Sequence, residues 1–141
     1  MQYSYFAELT RDPDGGFLAT FPDVPEAIAH GATRELALYQ AALALSQGLR
    51  TYFERKLRLP IPVARSGTPV HLAAHDAMKL AVMDAFLAAD ITKSELAARL
   101  GKHEGEARRI LDPDHATKLP LLEAALAVLG RKAVVLVEEA A

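Results

Sequence analysis

Three prolines and a glycine fall within ten residues, at Pro60, Pro62, Gly67 and Pro69, and no regular helix runs through such a stretch. Residues that precede proline are pushed into extended conformations. The run Leu59-Pro60-Ile61-Pro62-Val63 therefore reads as an edge strand, and residues 66–75 as a linker. This break divides the 141-residue chain into a first unit, 1–65, and a second, 76–141. The length suits one ordinary domain or two small ones. With 51% of residues in the hydrophobic set there is enough apolar material for a core, so wholesale disorder is excluded.

Before the break the pattern is that of a sheet with one helix. Tyr3, Tyr5, Ala7 and Leu9 alternate with Ser4, Phe6, Glu8 and Thr10, which predicts a half-buried strand. Asp12-Pro13-Asp14-Gly15-Gly16 carries the Asp-Gly signal of a hairpin turn. A second strand is expected over 17–21 and a short third over 28–30. Thr33 is placed to cap a helix over 34–57, whose stripe of Leu36, Tyr39, Leu43, Ser46, Leu49, Phe53 and Leu57 is expected to pack on the sheet. The order is β-β-β-α-β, and about 65 residues are marginal as a lone monomer.

Beyond the break the chain reads as helical. An apolar segment over 76–89 has inward positions at Met78 (or Ala77), Leu80, Ala81, Asp84, Phe86, Leu87 and Ala88. Thr92-Lys93-Ser94-Glu95 has the form of a capping box, in which the Thr92 hydroxyl meets the third amide and Glu95 reaches back. Leu96 and Ala97 face inward, and Leu100-Gly101 ends that helix with the residue best suited to a left-handed cap. A second helix is expected from about His103, with Ala107, Ile110 and Leu111 inward, ending at Asp112-Pro113. This spacing is a helix-turn-helix pattern of the Cro/Xre type, with small residues at 97 and 107 allowing a close helix crossing. A final helix over 119–129 is closed by Gly130. The β-branched run Ala133-Val134-Val135-Leu136-Val137 reads as a lone strand that could pair with its twin across a two-fold axis, giving a homodimer or larger homo-oligomer.

The segment GGFLATFPDVPEAIAHGATRELALYQAALALSQGL resembles the HicB antitoxin family. The matching features are the glycine pair at 15–16, Phe21-Pro22-Asp23-Val24-Pro25, and Gly31-x-Thr33 opening an alanine-rich helix with Glu35-Leu36-Ala37. The family usually has a Gly-Cys pair where this chain has Glu26-Ala27. The resemblance implies an α+β chain: a partial RNase H-like β-β-β-α-β domain followed by an all-α helix-turn-helix domain. It implies an antitoxin with two activities. The first unit would bind and cover a small mRNA-cleaving HicA toxin, and the second would bind operator DNA and repress its own operon. Asp12, Asp14, Phe21, Asp23 and Glu26 are the expected toxin-facing residues. On the DNA side, Arg108 suits guanine and Glu104 suits cytosine, with His103 beside them. Thr92, Lys93, Lys102, Arg109 and Lys118 are placed for phosphates.

Charge and residue types narrow the alternatives. Residues 1–70 carry seven basic and seven acidic side chains, and residues 71–141 nine and eleven, so neither half is a basic domain. The absence of cysteine excludes a disulfide scaffold, a cysteine zinc finger and a thiol nucleophile. His71 and His75 stand four apart without a third ligand and read as solvated. Glu8, Glu35 and Glu54 could serve a metal nuclease only if carboxylates converge on divalent ions. No catalytic residue, metal or cofactor is expected. A ligand-sensing or merely oligomerising regulator with the same helix-turn-helix stays open. No apolar run approaches the roughly 20 residues that span a bilayer, and Met1-Gln2-Tyr3-Ser4-Tyr5 is unlike a signal peptide, so a cytoplasmic protein without membrane contact is expected.

Overall fold

The alternation at the start of the chain forms β1 (Ser4–Arg11), with Tyr5 and Ala7 fully buried, in a computed structural model that describes residues 1–140. The turn that follows is built from its own polar groups. Asp12 Oδ1 accepts from the Asp14 amide at 2.9 Å, and Gly15 and Gly16 take φ of 103° and 79°. These angles are open to glycine and strained for other residues. The chain returns as β2 (Phe17–Thr20), antiparallel to β1 with Glu8 opposite Thr20, and β3 (Ile28–Gly31) adds to β2 with Phe17 opposite Gly31. A side chain at Gly31 would strike the backbone of Ala37, so glycine lets the helix start directly against the sheet.

That helix is α1 (Arg34–Glu54), capped as expected by Thr33, whose Oγ1 accepts from the Leu36 amide at 3.2 Å. Its packed face differs from the expected one. Ala37, Ala41, Leu45, Gly48 and Leu49 are buried, whereas Leu36, Tyr39 and Leu43 are 47–63% exposed and Leu57 lies beyond the helix end. Both stripes have helical spacing. The sheet selects the small residues because they let helix and sheet approach closely, and the bulkier stripe is left outward.

The region of prolines also folds differently from expectation. Residues 59–65 form no strand and pair with none. Pro60 and Pro62 have no N–H to offer a ladder. The segment is held by side chains instead: Tyr5 donates to the Pro60 carbonyl at 2.7 Å, and Asp23 Oδ2 accepts from Val63 and Ala64 at 2.9 Å each. The fourth strand is β4 (Thr68–His71), antiparallel to the outer edge of β1 with Ser4 opposite His71. The sheet order is β3-β2-β1-β4. The stretch 66–75 is thus no free linker; it holds a strand, the buried Leu72 and the start of α2 (Ala74–Ala89).

Helix α2 buries Lys79, Leu80, Val82, Met83, Ala85 and Phe86, a face rotated from the expected one, and packs against α1. Three more helices follow: α3 (Lys93–Leu100), α4 (Glu104–Ile110) and α5 (Leu119–Val128). One continuous apolar cluster runs from Tyr5, Phe21 and Leu49 through Leu80 and Met83 to Leu96, Ile110 and Leu122. Polar bonds cross the same boundary. Arg58 gives Nε and Nη2 to Asp84 at 2.8 and 3.0 Å, Ser46 donates to Asp76, and Arg50 pairs with Asp114. The expected strand over 133–137 does not form. Those residues adopt neither helix nor strand, and Val134, Val135, Leu136 and Val137 are all more than 70% exposed. Among the described residues no helix is long and apolar enough to cross a membrane.

Candidate nucleic-acid interface and sheet surface

The α3–α4 pair is shaped by local signals. Thr92 Oγ1 accepts from the Glu95 amide at 3.1 Å, which is half of the expected capping box. Glu95 does not reach back; its carboxylate accepts from Arg99 Nε at 3.2 Å, one turn along. At the other end Gly101 has φ of 65°, its amide donates to Ala98, and Lys102 donates to Ala97 at 2.9 Å. This pair of hydrogen bonds is the Schellman closure, and it turns the chain sharply. Leu96 and Ala97 then meet Ala107 and Ile110 in the core.

Helix α4 presents His103, Glu104, Gly105, Arg108 and Arg109 outward. Both arginines are already engaged. Arg108 Nη2 donates to Glu104 Oε1 at 2.9 Å, Ser94 Oγ donates to the other oxygen of Glu104 at 3.2 Å, and Arg109 lies 3.1 Å from Glu106. The hydrogen bonds from Arg108 and Ser94 hold the Glu104 carboxyl below the usual range. These are exposed pairs, which are cheap to exchange for another anion. Lys93 stands exposed at the start of α3, while Lys102 and Lys118 line one open depression with His115. Two cations from separate turns thus share one surface.

The sequence-based reading missed the group that fastens α4 from behind. Lys79 of α2 is 3% exposed, and its ammonium donates to the carbonyls of Arg109 (3.0 Å) and Ile110 (2.9 Å) and to Thr117 Oγ1 (2.8 Å). Desolvation lowers its pKa, opposed by the nearby Asp112 carboxylate. A lysine at 79, four before Met83 and seven before Phe86, was the available signal. His75 is exposed, as expected of a solvated side chain, and its Nε2 lies 3.1 Å from the Thr117 carbonyl.

The residues expected to face a toxin do not form one patch. Asp12 and Asp14 sit at the hairpin turn, with Asp12 3.5 Å from His30. Asp23 and Glu26 sit beyond the opposite end of β2, where Asp23 is occupied by Val63 and Ala64 and Glu26 accepts from Tyr52 at 3.0 Å. Phe21 is 2% exposed and belongs to the core, so it cannot touch a partner directly. The sheet face turned away from Tyr5 and Ala7 carries Phe6, Glu8, Leu18, Ile28 and His30 by strand alternation, and Ile28 is 58% exposed. Among the described residues no three histidine or carboxylate side chains gather as metal ligands, and Glu8 is not joined by Glu35 or Glu54.

Residues 4–81, which span the whole sheet, α1 and the first half of α2, match the family described as HicB-like antitoxin of bacterial toxin-antitoxin system. The chain belongs to the HicB-like antitoxin family. It is similar to Antitoxin HicB 1 of Photorhabdus laumondii subsp. laumondii, with 37% identity over 134 residues, covering 92% of this chain and 85% of that protein. Antitoxin HicB of Escherichia coli K12 is 34% identical over 130 residues, covering 91% and 94%. Antitoxin HicB of Pseudomonas fluorescens Pf0-1 is 31% identical over 143 residues, covering 99% and 97%. The HicB likeness therefore extends past residue 81 through the α3–α4 pair. The matched family and these relatives are described as antitoxins, a family not known as enzymes.

Proposed function

We propose that this HicB-like chain neutralises a small mRNA-cleaving toxin of the HicA type and represses its own operon by binding operator DNA. The observation that carries the reading is the pairing, in one chain, of a HicB-like sheet unit over 4–81 with a tight helix pair whose outer helix ends in two exposed arginines. The β-β-β-α-β order supports a partial RNase H-like scaffold that binds without chemistry. Neutralisation is then stoichiometric occlusion of the toxin's active site. The open sheet face around Phe6, Leu18 and Ile28, flanked by Asp12 and Asp14, offers apolar contact with an acidic rim for a basic partner.

On DNA, α4 lies in the major groove. Arg108 leaves Glu104 and donates two bonds to guanine O6 and N7, and Glu104 is freed to accept from cytosine N4. Thr92, Lys93, Lys102, Arg109 and Lys118 meet phosphates and fix the register, with His103 at the groove edge. Because the carboxylates of α4 oppose the DNA charge, one subunit binds weakly. A homodimer, joined through residues 133–137 or a larger assembly, presents two such helices about 34 Å apart to a palindrome. Repression is steric.

The test is co-expression of the tagged chain with the short reading frame beside its gene, followed by light scattering of the eluate. A stable complex with a small basic partner, whose RNA cleavage stops on binding, is the expected result. Intact DNA binding with no partner would make the chain a regulator whose sheet unit senses something else.

A further inference from the structure

We propose that Lys79 is a positioning residue for DNA reading: from α2 it fixes the pose of α4 by holding the last carbonyls of that helix. The inference rests on α4 being the DNA-reading helix and adds what orients it.

Helix α4 spans only Glu104–Ile110, and its N-cap, His103, makes no side-chain capping bond. A helix of two turns has little stability of its own, so its orientation comes from what it is fastened to. Its inner side is fastened by Ala107 and Ile110. Its C-terminal end is fastened by one charged group. An ammonium has three donors, and all three of Lys79 are used, on the Arg109 and Ile110 carbonyls and on Thr117 Oγ1. A buried cation at the negative end of a helix dipole is favourably placed; it joins the Asp112 amide on the Arg109 carbonyl and gives the Ile110 carbonyl a donor. The geometry fixes both position and roll, because the two carbonyls belong to consecutive residues, and one of them, Arg109, carries an outward guanidinium.

The clamp is anchored in the sheet unit. Three residues before Lys79 on the same helix, Asp76 accepts from Ser46 of α1 at 3.2 Å. Arg50 of α1 also pairs with Asp114, in the loop that carries Thr117. Helix α1 therefore holds both sides of the clamp, the helix that donates the lysine and the loop that supplies its third acceptor. Lys79 is almost wholly buried and its three donors are spent inside the protein, so it is no phosphate contact and its effect on DNA must pass through α4.

The experiment uses the full chain, as wild type, Lys79→Met, Thr117→Val and Arg108→Ala. Each is titrated by fluorescence anisotropy against the duplex immediately upstream of its own reading frame and against a shuffled duplex of equal length, over a range of salt. Circular dichroism verifies the fold of each variant. Lys79→Met should weaken binding to the upstream duplex by about tenfold, the size of one lost base contact, while leaving the shuffled duplex and the salt slope unchanged. Thr117→Val, which removes one of three acceptors, should act in the same direction with a smaller loss, and it decides the matter if Lys79→Met does not fold. Folded variants that keep the wild-type ratio between the two duplexes, or that lose affinity equally on both, would overturn the positioning role. A wild type that does not distinguish the duplexes, or an Arg108→Ala variant that binds as wild type, would instead overturn the DNA-reading assignment of α4 and this proposal with it.

Discussion

Replacing Asp84 by alanine should destabilise both halves of the molecule together. The Asp84 side chain is 11% exposed and accepts three hydrogen bonds: Arg58 Nε at 2.8 Å, Arg58 Nη2 at 3.0 Å and the Leu59 amide at 3.0 Å. The contributions differ. Arg58 is 55% exposed and can turn to water, so its pair is worth about 0–1 kcal/mol. The Leu59 amide belongs to a residue only 7% exposed, and leaving it without an acceptor costs about 1–3 kcal/mol. The loss is about 1–4 kcal/mol. A chain of 141 residues unfolds with an entropy near 0.3 kcal/mol/K, about 2.1 cal/mol/K per residue, so Tm should fall by about 3–13 °C. The continuous core makes this a single transition, read by far-UV circular dichroism at pH 7. Asp84→Asn keeps an acceptor for Leu59 and should lose less than half as much. A fall of under about 2 °C for Asp84→Ala would refute the hydrogen-bond reasoning. Two separated transitions, only one of which moves, would refute the shared core.

Other outcomes follow from the surface. Arg108→Ala should cost about 1–3 kcal/mol on the cognate duplex and relax one base position, whereas an equal loss on all sequences would make Arg108 a phosphate contact. Lys118→Ala should weaken binding to every sequence alike and reduce the salt slope by about 1, and an unchanged slope would remove Lys118 from the phosphate set. Deleting the residues from 133 onward should convert a dimer into a smaller species by light scattering; an unchanged mass would reject that segment as the dimer contact. Hydrogen bonding from Arg108 and Ser94 depresses the Glu104 pKa, so the Glu104 contribution is present above the ordinary glutamate value of 4.5 and is lost as pH falls through the depressed one. A carbon-detected titration of Glu104 should show a midpoint below 4.5 that rises in Arg108→Ala, and a midpoint at or above 4.5 in the intact chain would contradict the pairing.

The features legible in the sequence were those set by neighbours in the chain. Asp-Gly at 14–15, Thr33, Thr92, Gly101 and Gly130 mark a turn, two helix starts and two helix ends, and each does so through bonds within a few residues. The features that were not legible depend on distant partners. Pro69 fell in the stretch read as a linker, but it lies in β4, an edge strand, where one missing N–H is tolerated. Leu36, Tyr39 and Leu43 outweighed Ala37 and Ala41 by hydrophobicity, while closeness of approach decided the packed face. Asp23 looked free for a partner because its acceptor role is fulfilled by residues forty positions on. Lys79 broke the apolar pattern of its helix, and its three partners lie at least 30 residues away.

The position of β4 has a consequence for how such chains can be recombined. A gene fusion made at the prolines would leave β1 with a bare edge on one side of the joint and hand its partner strand to the other. The first seam that keeps the sheet whole lies after Leu72, and even there the incoming helix must bring its own match for Arg58 and Ser46. Chains that trade their C-terminal helices are therefore expected to trade them together with the α1-facing side of α2, so that these two surfaces vary as a pair.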